Sequence, residues 1–465
     1  MSDRPIAATT AAHLPLWKVG ALGLAYMLIG PSMAMSAGAL IAFSAQAAWL
    51  SNLLSVIVLV LLSVVISAYA RRYVVTGSLV SYAYEALGAR ARLLVAACMM
   101  LGYVALTATL ILGVVVFSSS ALLDLGVQSA SSIPLQCASA VIISLLAAGC
   151  ACLGIDVSVR VVLIVGFLCV PFVLLAMGAS YLELRPALAM QFDFRTVSLQ
   201  GILQGAVAAT GYYVGFDGIA ALANETRDPK RNVPRVLIGI VSLVGMAITA
   251  SCFLQYPLLL DHADELAAGA SPVAIFAHAI GWNWLAIMVD ILLVPAALAA
   301  TVTVYNIGGR IIASTATDGL LPTALSRVHS RLKTPVVGVV TLALVATALT
   351  VLLQVLFGKS PLVTSVYLAN LTTYYWLAPY FLVCVGILRI LRREGIRDPA
   401  TSAAAGLSMA AIAYVTFEMF RSPVDAGTRY LPYVALVSIT AAALVSRFTR
   451  HDASGIAVAA MNPNE

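Results

Sequence analysis

What most constrains this chain is a series of apolar stretches, each near the ~20 residues a helix needs to cross the hydrocarbon core of a bilayer. They occupy residues 17–43, 50–70, 93–123, 134–154, 161–181, 198–224, 234–257, 284–314, 336–357, 362–388, 402–420 and 430–447. Twelve such runs in 465 residues leave room only for short connections, and charged residues make up 10% of the chain, with a mean hydropathy of +1.00. Soluble domains carry about a quarter charged residues, so the expected class is an all-α polytopic membrane protein with 12 transmembrane helices. The first run is too long for a cleaved signal peptide and no short apolar region ends in a small-residue cleavage site, so it reads as a retained helix.

Orientation follows from Lys and Arg, which are retained in cytoplasmic loops. With the N-terminus inside, 21 of the 26 basic residues fall on the cytoplasmic side, and only Arg185, Arg195, Lys359, Arg421 and Arg429 fall opposite. Both termini are therefore predicted to be cytoplasmic, in a cytoplasmic (inner) membrane. The net charge of +6 then reads as a topology signal, and no nucleic-acid partner is expected. Cysteines 98, 137, 150, 152, 169, 252 and 384 lie in or beside apolar runs without metal-ligand spacing, so they read as small hydrophobes and no metal is expected.

Two of the runs are interrupted. The sixth carries Gly211, Gly215 and Gly218 around Asp217, and the first contains GPSMAMSAG, where Pro31 is predicted to break the helix between Gly30 and Gly38. Unwound backbone in a membrane is tolerated only where it lines a protein-enclosed or watered cavity. Two broken helices five helices apart point to an inverted-repeat transporter with its site at the breaks. Each interruption alone has an ordinary explanation, since Gly211 and Gly215 also suit a helix-packing face and Pro31 a simple kink. The pairing, with a buried acid, favours a site.

Three stretches carry a family resemblance. GFDGIAALANETRDPKRNVPR (215–235) resembles the signature after the sixth helix of amino acid–polyamine–organocation (APC) permeases. YNIGGRIIASTATDGLLPTALSRVHSRLKTP (305–335) is similar to that family's eighth helix and following loop, and ARRYVVTGSLVSYAYEALGARA (70–91) to its loop after helix two. The resemblance spans most of the chain and implies a LeuT-type 5+5 inverted repeat with two additional helices. On that reading residues 1–16 are a cytoplasmic tail, 17–181 the first repeat, 198–388 the second, 402–447 the added helices and 448–465 a second cytoplasmic tail.

The resemblance also implies a substrate site between the two breaks, holding an amino acid or a related amine. Half-helix N-termini suit a carboxylate and half-helix C-termini an ammonium. The carboxylate contacts fall to the amides of Ser32, Met33 and Ala34 and the Ser32 hydroxyl, and the amino contacts to carbonyls around Tyr212, Tyr213 and Val214. Phe216 and Tyr213, with Tyr103 and Thr107 of helix 3, form the expected side-chain pocket. Many members of the family carry Gly-Ser/Thr-Gly in the first break. Here Gly30-Pro31-Ser32-Met33 stands there, and Pro31 offers no N–H, which leaves a substrate without a carboxylate as an alternative.

Asp217, Asp290 and Glu418 are the acids in apolar runs, and intramembrane charges are functional by default. Asp217 stands where the family often has a glutamate linked to proton coupling or gating, and it is the expected coupling group. Asp290 and Glu418 lie nearer helix ends and are expected to be solvated or capping. An apolar residue or Cys169 falls where some proton-coupled relatives carry a fifth-helix lysine, which argues against that device. Thr301 and Thr303 are candidate sodium ligands, although bonding back to their own helix is the commoner role of such threonines. Proton coupling leads, with sodium coupling or exchange as alternatives, and the ion gradient takes the place of a cofactor. Glu225 and Arg231, in the polar run after helix six, are candidate ion-pair partners at an inward gate, or topology anchors. Tyr374 is a candidate outer gate.

Other function classes fit less well. The histidines at 13, 262, 278, 329 and 451 lie in loops, termini or helix ends and no nucleophile–base pair converges, which argues against an enzyme. A transport-like sensor shares such a fold but usually adds a soluble domain. The expected partners are a small-molecule substrate and membrane lipid, with the chain a monomer or homodimer.

Overall fold

The computed structural model describes residues 14–444, apart from 28, 76, 154–163, 165, 318, 320, 330, 331, 333 and 422–427. The described chain is helical almost throughout. In order, the helices are α1 (Leu16–Tyr26), α2 (Ile29–Ser44), α3 (Ala48–Ala70), α4 (Ser78–Leu87), α5 (Ala89–Asp124), α6 (Ile133–Cys152), α7 (Val170–Leu184) and α8 (Leu199–Thr210). After a 3-10 segment, Phe216–Glu225, follow α9 (Pro229–Leu259), α10 (Ala263–Ala268), α11 (Pro272–Ala279), α12 (Asn283–Thr317), α13 (Val336–Phe357), α14 (Pro361–Glu394), α15 (Pro399–Arg421) and the shorter apolar α16 (Leu431–Leu444).

Among the described residues, nine helical stretches are long and apolar enough to cross a membrane, and the chain is a multi-pass membrane protein. One of the nine, Ile29–Ala70, runs for 42 residues. At 1.5 Å per residue that is about 60 Å, twice the hydrocarbon thickness. A tight turn at Ala45–Ala47, with Ala45 at φ +43°, divides it into α2 and α3. The sixth predicted run falls outside the nine because it is split into α8 and the 3-10 segment.

The core is built around α5, which packs along both α12 and α14, while α3 packs along both α8 and α9 and these three hold α2. Buried polar side chains tie these groups together where helix regularity fails. Ser51 Oγ donates to the Ile202 carbonyl at 2.8 Å, and Asn52 Nδ2 donates to Thr249 Oγ1 at 2.8 Å while its Oδ1 accepts from the Tyr213 hydroxyl at 2.8 Å. From α9, Ser251 Oγ and Gln255 Nε2 both donate to the Met33 carbonyl, at 2.9 and 2.6 Å. The half-helices α2 and α8 are thus pinned to α3 and α9 by hydrogen bonds that lipid cannot replace.

The first break differs in place from the sequence expectation. α1 ends at Tyr26 and α2 starts at Ile29, so Pro31 lies inside the first turn of α2 instead of at the interruption. The physical reason is that first-turn N–H groups have no intrahelical acceptor, so a proline there loses nothing. The acids near helix ends also differ: Asp290 is fully buried and Glu418 nearly so, with Arg421 Nη1 3.7 Å from Glu418. The fifth-helix positions 154–163 lie outside the described residues.

Gly211 ends α8 against α14, where an added Cβ would stand 2.7 Å from the Ala369 carbonyl oxygen and 2.9 Å from its Cβ. Overpacking of this kind costs about 1–3 kcal/mol. Gly211→Ala is expected to lower the thermal unfolding midpoint of the purified protein. Gly149→Ala, at an exposed α6 position with open space around it, is expected to leave the midpoint unchanged or raise it slightly.

Candidate functional site

Both breaks open onto one cavity of about 60 Å³. Met27, Pro31, Ser32 and Met35 line it from the first break, and Gly211, Tyr212, Tyr213 and Val214 from the second. The remaining wall comes from Leu106, Thr109, Leu110, Gly113 and Phe117 of α5, Ala297 and Val304 of α12, and Ser365 of α14. No lining side chain is charged.

The backbone supplies polarity of both signs. At the start of α2 the first-turn amides are those of Ile29, Gly30 and Ser32, at the positive end of a half-helix. At the end of α8 the chain turns through 211–215, with Gly215 at φ +97°, and resumes as the 3-10 segment. Among the described residues, the carbonyls of Gly211, Tyr212 and Val214 accept no backbone hydrogen bond. Ser32 Oγ lies 3.4 Å from the Met27 carbonyl, bridging the first break.

Beside the second break, Asp217 is fully buried. Its Oδ1 accepts from Trp376 Nε1 and from the Tyr380 hydroxyl, each at 3.1 Å. The Ser78 hydroxyl stands 2.8 Å from the Asp217 carbonyl oxygen and 3.3 Å from Oδ2. Three donors converging on one buried carboxyl compensate a carboxylate without a cation, and they clamp the 3-10 segment to α4 and α14. Trp376 fits because Gly102 faces it: a Cβ there would collide with the indole ring.

The structure brings together some of the residues singled out in the sequence and separates others. Ser32, Tyr212, Tyr213 and Val214 line the cavity. Met33 and Ala34 do not, because the earlier start of α2 puts their amides inside the helix, and α9 already holds the Met33 carbonyl. Tyr103 and Thr107 also lie off the cavity. Thr107 Oγ1 donates to the Tyr103 carbonyl at 2.6 Å, and the Tyr103 ring meets Trp376 edge-on at 5.2 Å. The cavity is lined instead by Leu110 and Phe117, seven and fourteen residues further on, which share a helix face with Tyr103 at two-turn spacing. Phe216 packs on Tyr380 at 6.0 Å, away from the cavity.

Thr301 and Thr303 donate to the Ala297 and Ala299 carbonyls of their own helix, at 3.1 and 3.0 Å. Tyr374 is half-buried and does not line the cavity. Arg231 is exposed and makes no ion pair among the described residues, and the Glu225 side chain lies outside them. The contact at that face is instead a backbone one, in which Arg227 N–H donates to the Leu14 carbonyl at 2.9 Å beside an isolated parallel bridge from Leu14 to Thr226. Trp376, Tyr380 and Ser78 were not anticipated. An i, i+4 Trp/Tyr pair in a helix predicted to flank a buried acid was the available signal.

The sequence was compared with known proteins. A family model described as amino acid permease matches residues 14–443. This chain belongs to the amino acid permease family. Similar relatives include the branched-chain amino acid permease BcaP of Lactococcus lactis subsp. cremoris (strain MG1363), 28% identical over 198 residues, covering 42% of this chain and 39% of the relative. Cationic amino acid transporter 1 of Arabidopsis thaliana is 27% identical over 161 residues, covering 34% of this chain and 26% of the relative. The matched stretches thus span well under half the length of these relatives. The family is one of permeases, not enzymes.

The clamp on Asp217 can be tested by its removal. Asp217→Ala leaves the Trp376 Nε1–H without an acceptor, at about 1–3 kcal/mol for a buried donor, and should lower the thermal unfolding midpoint. Asp217→Asn keeps an acceptor oxygen and should lower it less. Gly102→Ala should imitate the loss of the Trp376 bond, read as altered tryptophan fluorescence.

Proposed function

We propose that this permease is a secondary active transporter that carries an amino acid with a neutral, apolar side chain, moving it by alternating access across the cytoplasmic (inner) membrane with both termini inside. The observation that carries the reading is the single cavity shared by both helix breaks. First-turn amides of α2 suit the substrate carboxylate, and the free carbonyls of Gly211, Tyr212 and Val214 suit its ammonium. The carboxylate contacts then fall to the amides of Gly30 and Ser32 and the Ser32 hydroxyl, with Pro31 costing the site nothing but one donor. A substrate with both groups engaged leaves its side chain among Leu106, Leu110, Phe117 and Val304. A cationic side chain there would lose its hydration without a carboxylate partner, so of the two relatives' printed substrates the branched-chain type fits this lining better.

On this reading residues 17–181 and 198–388 are two inverted halves that rock about the cavity. Asp217 is the coupling group. Protonation would turn one of its oxygens into a donor, weaken the clamp from Ser78, Trp376 and Tyr380, and free the 3-10 segment to move. Sodium coupling through Thr301 and Thr303 is the alternative, against which both hydroxyls already donate within their own helix.

The test is uptake of labelled amino acids into proteoliposomes, with and without an inward proton gradient. Leucine, isoleucine or valine should accumulate when the gradient is imposed, and lysine and arginine should not. Asp217→Asn should abolish the gradient dependence. Gradient-independent uptake unaffected by Asp217→Asn would contradict the coupling role, and accumulation of lysine alone would contradict the substrate class.

A further inference from the structure

A second buried acid lies outside the site described above. Asp290, on α12, is fully buried, and neither of its carboxyl oxygens receives a hydrogen bond. The hydroxyls beside it that can donate to it are those of Ser120, at the end of α5, and Ser271, at the start of α11. The Ser271 hydroxyl is also buried without a partner and does not cap α11, although its N–H donates to Ser120 Oγ at 3.3 Å.

The titratable groups facing Asp290, among the described residues, are Asp124 of α5 and His278 of α11. These two are joined, with His278 Nε2 3.0 Å from Asp124 Oδ1, and Asn283 Oδ1 lies 3.0 Å from His278 Nδ1. The second oxygen of Asp124 is buried and carries no hydrogen bond. Among the described residues no Lys or Arg acts on the group. As a carboxylate, Asp290 would hold a negative charge in an apolar interior beside a second acid, a state too costly to persist without a bound positive charge.

Three elements meet at this cluster, and its position gives it a use. Asp290 is seven residues before Ala297 on α12, and Ser120 seven after Gly113 on α5. Both therefore stand about 10 Å along their helices from residues that line the cavity, on the same faces. The segment α11 packs across α2, α7 and α12 at this end of the bundle, the outer end on the proposed orientation. His278 is partly exposed, its side chain at 36%, so it can exchange protons with solvent while Asp290 cannot directly.

We propose that Asp290, with Ser120, Ser271 and the Asp124–His278 pair, forms a proton-binding site that seats α11 over the outer end of the cavity. A proton from the outer solution passes through His278 and Asp124 to an Asp290 oxygen. The neutral carboxyl then donates to one of the serine hydroxyls, and the cluster holds α5, α11 and α12 together. Loss of the proton leaves the buried Asp290 carboxylate facing Asp124, and repulsion frees α11. The side assignment rests on the proposed orientation, whereas the site does not.

The deciding experiment reads the proton directly and needs no transport. Infrared difference spectra of the purified, reconstituted protein are expected to show the carbonyl band of a buried protonated carboxyl at neutral pH. That band should be lost in Asp290→Asn and kept in Asp217→Asn. Ser271→Ala and Ser120→Ala, which retain the acid, should shift it, so the proposal stays testable even if Asp290→Asn folds poorly. A missing band, together with sodium-dependent thermal stabilisation that Asp290→Asn abolishes, would overturn the proton in favour of a sodium ion. A missing band with no sodium effect, or a band unmoved by every Asp290, Ser271 and Ser120 variant, would overturn the site.

Discussion

A backbone N–H or C=O without a partner is far more costly in hydrocarbon than in water, and the architecture of this chain follows from where it leaves such groups. The first and sixth predicted spans leave such groups where α1 gives way to α2 and at 211–215, and these two places expose backbone of opposite polarity to one cavity. The surrounding buried polar residues hold those half-helices in place: Asn52 grips Tyr213, Ser251 and Gln255 hold the Met33 carbonyl, and Trp376 and Tyr380 meet Asp217. In a chain with 10% charged residues, these few hydrogen bonds decide which segments are fixed and which are able to move.

The helical, multi-pass character and the existence of two breaks were legible because they depend on coarse properties, run length and the placement of Gly, Pro and Asp. The exact break in the first span was not. A proline signals interruption only when it removes a bond that would otherwise form, and in a first turn it removes none, so Pro31 marks the start of α2 instead of its end. On α5 the expected Tyr103 and Thr107 lie off the cavity, although Tyr103 shares a helix stripe with Leu110 and Phe117, which line it. Depth along that stripe depends on how far the helix slides in the bundle, which no local pattern records. The partners of Asp217 come from α4 and α14, more than 130 residues away in each direction, and residue spacing within one helix says nothing of that meeting.

The two buried acids illustrate how environment divides similar residues. Asp217 is surrounded by donors and belongs to a clamp on the 3-10 segment next to the cavity. Asp290 has the Ser120 and Ser271 hydroxyls and a second acid beside it, at the end of the bundle where α5, α11 and α12 meet. The cavity itself has no charged side chain in its lining, and under the proposed function its uncharged wall would meet the substrate side chain.

The central claim, that the cavity between the breaks is the substrate site and prefers an apolar side chain, is tested most directly by occupancy. Thr109 lines the cavity from α5, and in a background with the seven native cysteines replaced, Thr109→Cys places a single reporter thiol there. Its alkylation should be slowed by leucine in a concentration-dependent way and left unchanged by lysine. Equal alkylation rates with every amino acid, or protection by lysine alone, would contradict the account.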